Sequence, residues 1–407
     1  MEAVLTGLAW VLVALTAAGT LELFLLTFGW LAGKPLLRRA PVSGAQPATL
    51  GVVIPAHDEA HGIADTVRGV LAAKQARGVE CNVLVVADNC TDDTAERARA
   101  AGATVLERSD EQLRGKGYAL DFAFGHLLEQ GVDALIVLDA DARVPEDFFE
   151  RATGAFARGA EALQFGYTIG NPESSPRARL QHVALLAFNV LRPLSRERLG
   201  FSVGIFGNGF GLTADLLRRV PYTADSIVED LEYHLELVRA GARVRFVEGP
   251  PVVADAPPPG AGAETQRARW EGGRFRMIAE HAPKLLGQVL TGKLRMLEPL
   301  LELLLLPLAF HLLLLSTLPL LGGWQALYGL GALALVAVHV VLGIAVGGGG
   351  PKEYAALCRA PFYVLWKLRL LPKLLKTASR KAGWERTQRA AEVEAESKAS
   401  SNGDRAA

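Results

Sequence analysis

From Val4 to Ala32 the chain is an almost unbroken apolar run, interrupted by Glu22. The run exceeds the roughly 20 residues that a helix needs to cross a bilayer. A secretory leader would carry positive charge ahead of a shorter apolar core. Here Met1-Glu2-Ala3 holds no Lys or Arg, and Lys34, Arg38 and Arg39 follow the run instead. The reading is a retained transmembrane helix over 1–33. Two further apolar runs come late, Leu303–Leu321 and Trp324–Val346, joined by Gly322-Gly323. So short a joint predicts a helical hairpin, set within 291–348. Lys284, Lys293 and Arg295 precede this hairpin, Lys352, Arg359, Lys367 and Arg369 follow it, and its joint has no basic residue. By the positive-inside rule the segment between the first two runs is cytoplasmic and the N-terminus lies outside. The expectation is an integral protein of the cytoplasmic (inner) membrane. Glu22, inside the first run, and Glu298 and Glu302, at the second, are ionisable groups near lipid, expected to pair with Arg295 or to line an acceptor path.

The composition fits a chain of unlike parts. Of its 407 residues half are apolar, and 43 Lys+Arg balance 43 Asp+Glu. With no net basic field, nucleic acid is disfavoured as a partner. The large apolar share and 21% charged residues exclude wholesale disorder. Cys81, Cys90 and Cys358 stand in unlike surroundings without a CxxC pair, which argues against a disulfide scaffold and a structural zinc site. Residues 349–384 are apolar in pieces cut by Lys367, Arg369, Pro372 and Lys373, as in a basic interfacial segment. The Ala/Glu/Ser-rich stretch 385–407 reads as a disordered tail.

Between the first run and the hairpin, over 34–290, the pattern alternates. Short runs rich in β-branched and other apolar residues (Leu50–Ile54, Val83–Val86, Thr104–Leu106, Ala134–Leu138) are separated by helical stretches at Ile63–Arg77, Asp93–Ala101, Lys116–Glu129 and Pro145–Gly154. This alternation predicts a doubly wound α/β sheet. Ligands then bind beyond the carboxyl ends of the strands. Those positions are acidic: Pro55-Ala56-His57-Asp58-Glu59 after the first strand, Asp88 to Asp93 after the second, Asp139-Ala140-Asp141 after the fourth. Any one of these is accounted for by an ordinary helix cap. Three together call for a cation or donor groups to offset their repulsion.

Asp139-x-Asp141, completed by substrate phosphates, suits Mg²⁺ or Mn²⁺. Arg114-Gly115-Lys116-Gly117 opens a helix and offers cationic and N–H groups of the kind that hold phosphate, or is a plain basic turn. Phe206-Gly207-Asn208-Gly209-Phe210-Gly211 is a glycine-rich turn suited to close ligand approach. Val228-Glu229-Asp230 opens a helix predicted over Leu231–Arg239. There Asp230 is either a carboxylate favoured by the helix dipole or a base aimed into a cleft. Gln266, Arg269 and Trp270 fall at i, i+3 and i+4 and share one helix face. An amide, a guanidinium and an indole so placed can hold a phosphate and stack on a sugar. Arg177–Leu199 and Phe275–Leu290 read either as interfacial helices or as helices packed on the sheet.

Taken in order, PAHDE, VVADNCTDDTA, RGKGYAL, LDADA, FGNGFG, VEDLEYHLELVRAG and QRARW, over roughly Leu50 to Arg276, resemble the membrane-bound family-2 glycosyltransferases. This is the superfamily of the cellulose, chitin and hyaluronan synthases and of the ceramide glucosyltransferases. The resemblance implies a GT-A fold, a Rossmann-like, doubly wound mixed sheet. It also implies metal-dependent transfer of a hexose or N-acetylhexosamine from a UDP-sugar with inversion. By position Pro55, Glu59, Asp88 and Lys116 resemble nucleotide contacts. Asp139 resembles the first DxD carboxylate, near the ribose and diphosphate, and Asp141 the metal ligand, with Asp139 beside it. Gly207, Asn208, Gly209 and Glu229 match the acceptor side, and Asp230 the catalytic base. Gln266 and Arg269 match the grip on the diphosphate, and Trp270 that on the acceptor sugar. The acidic motif reads Val-Glu-Asp where many members have Thr-Glu-Asp, and the carboxylate is kept.

The resemblance implies a polysaccharide acceptor in exopolysaccharide or cell-envelope synthesis. Three spans, fewer than in most processive synthases, also suit a lipid acceptor such as a polyprenyl phosphate or a sphingolipid, or work assisted by a second copy or an export partner. A nucleotide-sugar sensor without catalysis would be expected to lose Asp139, Asp141, Asp230 or Arg269, and all four are present.

Overall fold

The chain is described as a computed structural model. It covers residues 2–32, 47–76, 80–223, 228–256 and 261–370, with the side chains of 32, 261–269 and 370 outside the description. Lys34, Arg38 and Arg39, the basic residues beyond 370 and the 385–407 tail therefore lie outside the described residues.

In chain order the elements begin with α1 (Glu2–Gly29), β1 (Leu50–Ala56), α2 (Ile63–Ala76), β2 (Cys81–Asp88), α3 (Thr94–Ala100) and β3 (Thr104–Arg108). They continue with α4 (Lys116–Glu129), β4 (Ala134–Val137), α5 (Phe148–Ala157), β5 (Ala162–Ile169), α6 (Pro176–Leu186) and α7 (Arg192–Leu199). Next come β6 (Phe210–Thr213), α8 (Ala214–Arg219), α9 (Glu229–Arg239), β7 (Val244–Ala254) and α10 (Ala261–Leu290). The last are α11 (Leu297–Leu304), α12 (Leu308–Leu321), α13 (Gly323–Val346), α14 (Pro351–Ala356) and α15 (Ala360–Lys367). The described residues sort into two units: those within 47–175 and 204–267 form a sheet unit, and those within 2–32, 176–203 and 268–370 a helical unit.

The sheet unit holds seven strands in the order β3-β2-β1-β4-β6-β5-β7. Each of the four predicted strands forms. β1, β2 and β4 are buried almost throughout, as strands covered on both faces must be. β1 pairs in parallel with β2 on one side and β4 on the other, so the carboxyl ends of all three share one edge. β4 pairs antiparallel with β6, Val137 opposite Phe210. An antiparallel neighbour enters where β4 leaves, so the glycine-rich turn before β6 is delivered to the same edge. Phe148, Phe149, Phe165 and the apolar faces of β1 and β4 form the core beneath it.

Among the described residues two helices are long and apolar enough to span a membrane, α1 with 28 residues and α13 with 24. At 1.5 Å per residue these extend about 42 and 36 Å, more than the ~30 Å hydrocarbon layer. The expected single span at Leu303–Leu321 is not continuous: α11 and α12 meet at a bend of 80°. Pro307 is the cause, since it has no N–H for the helix ladder and disfavours helical backbone in the residue before it. Leu305 has already left the helix, with ψ 105°. The hairpin itself forms, with Gly322 and Gly323 both at positive φ in the joint.

Close approach and polar contacts tie the bundle. Gly343 of α13 lies against Ala187, where a Cβ would stand 2.7 Å from the Ala187 Cα. Thr27 bonds His339 at 2.9 Å, and Thr20 bonds the Tyr328 hydroxyl at 2.9 Å. The segment 176–199, one of the stretches left open above, packs in this unit as α6, a π-helical turn at 187–191 and α7. Arg196, 1% exposed, meets Glu22 at 2.5 Å, Glu302 at 2.6 Å and Glu298 at 3.2 Å. All three carboxylates flagged in the sequence thus converge on one arginine of α7.

Candidate active site

The edge shared by β1, β2 and β4 collects the residues of the sheet unit singled out above. β4 ends at Val137, and the turn Asp139-Ala140-Asp141 is closed by the Ala142 N–H donating to the Asp139 carbonyl at 3.0 Å. The Thr66 hydroxyl of α2 pins the turn by donating to the Ala140 carbonyl at 2.8 Å. Across from it the turn before β6 is held by its antiparallel register, the Gly209 N–H donating to the Val137 carbonyl at 2.9 Å. The Asn208 side-chain oxygen accepts from the Asp139 N–H at 3.2 Å.

Lys116, the first residue of α4, joins the two turns. Its ammonium donates to Asp139 Oδ1 at 2.5 Å and to the Gly207 carbonyl at 2.6 Å. Gly207 has φ +75°, and a Cβ there would lie 3.4 Å from both Lys116 Nζ and Asp230 Oδ2. Asp230, at the start of α9, therefore brings its carboxylate to the same point. Its Oδ1 accepts from the Leu231 N–H at 2.8 Å.

The charges are coupled. Burial disfavours the Lys116 ammonium, but Asp139, Glu229 and Asp230 outweigh it and raise its pKa above the ordinary lysine value. For Asp230 burial dominates and raises the carboxyl, partly opposed by the Leu231 N–H and by Lys116, while Asp139 adds to the rise.

Asp88 ends β2 and is buried, and the parallel register sets Arg108 of β3 opposite it, the guanidinium 2.6 Å from its Oδ1. Glu59 is also buried, and its N–H donates to the Thr94 hydroxyl at 2.8 Å. Pro55 sits in β1 beyond the last β4 pairing at Val53, where a missing N–H breaks no β4 ladder bond. Trp270 belongs to the helical unit and is 39% exposed. The Gln266 and Arg269 side chains lie outside the described residues.

Two residues at the site went unnoticed in the sequence. Arg108 could be found only through strand register. Gln164 of β5 is 0% exposed, and its amide nitrogen donates to the carbonyls of Phe165 at 2.9 Å, Asn208 at 2.7 Å and Gly209 at 3.2 Å. Its oxygen accepts from the Phe206 N–H at 2.9 Å. A lone Gln in an apolar strand was its only signal. The Gln164→Glu variant presents an acceptor to three carbonyls and should destabilise the protein by about 1–3 kcal/mol. Thermal unfolding checks this, and an unchanged midpoint would remove the clamp.

Asp139 and Asp141 offer hard carboxylate oxygens at a partly open turn, a donor set that fits a divalent cation such as Mg²⁺ or Mn²⁺. A second group, Asp58, Cys90 and Asp92, has ligand atoms within 4.8 Å of one another. Its carboxylates already close the loops: Asp58 accepts from the Thr91 N–H and Asp92 from the N–H groups of Ala60 and Thr94. Burial pushes the Cys90 thiol up to about 11, so it stays protonated at neutral pH and is a poor ligand.

The mixed seven-stranded sheet is the GT-A fold. The profile described as Glycosyl transferase family group 2 matches residues 134–347, just over half of the chain, and that of Glycosyl transferase family 2 matches 51–214. The chain belongs to glycosyl transferase family group 2. It is similar in fold to the mannosyltransferase PcManGT of Pyrobaculum calidifontis, solved with GDP-Man and Mn²⁺: 19% identity, 92% of this chain and 100% of that chain covered, TM-score 0.53. A weaker likeness is to glucosyl-3-phosphoglycerate synthase of Mycobacterium tuberculosis, at 23% identity over 59% of this chain and 85% of that one, with TM-score 0.38. No match is found among curated protein sequences.

Proposed function

We propose that the protein transfers a hexose or N-acetylhexosamine from a UDP-sugar, with inversion, to a membrane-associated saccharide. In this reading the sheet unit lies on the cytoplasmic side. The observation that carries it is the convergence of Lys116, Asp139 and Asp230 on Gly207. A carboxylate with a raised pKa, set beside a cation and an acidic turn, suits acid–base work on an anionic donor.

The acceptor hydroxyl attacks the anomeric carbon while the nucleoside diphosphate departs from the opposite face. Asp230 takes the hydroxyl proton. Lys116, with Arg269, stabilises the charge growing on the leaving diphosphate. Pro55, Glu59 and Asp88 hold the nucleotide, with Arg108 keeping the Asp88 carboxylate in place. Gly207, Asn208, Gly209 and Glu229 line the acceptor side, and Gln266 and Trp270 hold the diphosphate and the acceptor ring. Asp141 with Asp139 would hold Mg²⁺ or Mn²⁺, which supplies Lewis-acid neutralisation of the diphosphate.

The second reading is transfer of one sugar to a lipid acceptor. It is favoured by the small number of helices able to span a membrane among the described residues. Both are tested by incubating membranes that contain the protein with labelled UDP-sugars and GDP-mannose, plus Mg²⁺ or Mn²⁺. Label from one UDP-sugar should enter product, polymeric under the first reading and lipid-extractable under the second. Transfer from GDP-mannose alone would refute the donor assignment, and no transfer from any donor would refute the reaction.

A further inference from the structure

The helix that carries Trp270 is gripped within one turn of that residue. Glu271, Arg274 and Phe275 stand at i, i+3 and i+4 and share a face of α10. Glu271 forms an ion pair with Lys367 of α15, their side chains 12% and 9% exposed. The Phe275 ring meets Phe310 of α12 edge-on, with centroids 5.8 Å apart. Arg274 reaches the break between α11 and α12, donating through Nε to the Leu305 carbonyl at 2.9 Å and through Nη2 to the Glu302 carbonyl.

The Arg274 contact has a specific cause. A helix end leaves its carbonyls short of intrahelical donors, and here the Glu302 carbonyl keeps only a long bond, at 3.3 Å, from the shared Leu305 N–H. Such carbonyls in an apolar bundle need donors from elsewhere. A guanidinium is the side chain that can serve two at once, because its donors form a planar fork. The receiving helix is itself fixed, since Glu298 and Glu302 of α11 both meet Arg196, which also holds Glu22 of α1. The backbone turn beside Trp270 is thus tied through α11 to α7 and α1, while the indole stays open.

We propose that Arg274 is a positioning residue for transfer, with the broken span as its seat: it sets the rotation of α10 and so the direction of Trp270. This rests on the reading above, in which Trp270 orients the acceptor ring. Loss of the fork would leave donor binding intact and misplace the acceptor. Misplacement of about 1 Å can cost on the order of a hundredfold in rate.

The test uses full-length protein in membranes, comparing wild type with Arg274→Gln and the milder Arg274→Lys. With the UDP-sugar identified by the donor panel, labelled product is measured against free labelled sugar released to water. UDP affinity and amide exchange over residues 268–273 are measured in parallel. For Arg274→Gln the ratio of product to free sugar should fall by about tenfold or more, with UDP affinity within about twofold of wild type. Exchange at 268–273 should quicken, and Arg274→Lys should fall between, because it keeps the charge without the fork. If product and free sugar decline together, in proportion to folded protein, or if exchange at 268–273 is unchanged, the proposal is overturned. Absence of transfer by the wild type would refute the reaction and the positioning role with it, and faster exchange would then establish the clamp alone.

Discussion

Replacing Asp230 with asparagine is expected to reduce sugar transfer by about 10²–10⁴-fold, the usual contribution of a positioned general base. The substitution keeps the shape of the side chain and its place beside Gly207 and Lys116. It removes the negative charge and basicity with which the carboxylate takes the hydroxyl proton. Nucleotide affinity should stay within about twofold of wild type, because the loss falls on the transition state rather than on donor binding. The pH profile supplies a second, independent reading. Burial, the largest influence, raises the Asp230 carboxyl above 3.8, and the charged form is the active one. Transfer should therefore fall as pH drops through that raised value, giving an acid limb displaced upward from the ordinary aspartate value. Lys116, held above 10.5 by its carboxylate neighbours against the pull of burial, stays charged across neutral pH and contributes no such limb there. Rate measurements across pH on both proteins check this: residual transfer near wild type in the Asp230→Asn variant would remove Asp230 from the role of base.

The largest effect on stability is expected from Arg196→Met. Arg196 is the common partner of Glu22, Glu298 and Glu302 within the helical unit. Taking it away strips three carboxylates of their shared ion-pair partner among apolar helices, and breaking a buried ion pair on one side typically costs about 3–5 kcal/mol. Arg196→Lys keeps the charge but cannot reach three acceptors with a rigid fork, so a smaller loss is expected. Combining Arg196→Met with Glu298→Leu should recover part of the loss, because Glu22 and Glu302 keep the buried Arg192 and Arg274 as counter-charges. The midpoint of thermal unfolding in detergent reports all three. An Arg196→Met protein as stable as wild type would mean that the cluster is hydrated and carries no such weight.

Several features of the site were legible from residue order. The acidic strand ends could be read because β-branched and other apolar runs end where polar residues begin, and strands of a wound sheet present those ends to ligands. Lys116 was legible as a cation at a helix start, yet its partners, Asp139 and the Gly207 carbonyl, come from turns 23 and 91 residues away. Asp88 was legible, but Arg108 was not, because the pair is set by the β2–β3 register. Gln164 carries no such signal, because three of its four partners are backbone groups of a turn distant in sequence. The second apolar run reads as a single span although Pro307 stands within it, since its hydropathy is continuous and its bend is geometric.

The length of an apolar run, the alternation of strand with helix and the chemistry of a short motif depend on residues adjacent in the chain. These alone yield the long apolar helices α1 and α13, the first four strands of the wound sheet and a DxD-bearing turn at a strand end. The insertion of β6 antiparallel between β4 and β5, the meeting of Lys116 with Asp230, and the gathering of Glu22, Glu298 and Glu302 on Arg196 depend on groups brought together from far apart. Burial makes such contacts decisive, because a polar group removed from water must find a partner wherever the packed chain supplies one.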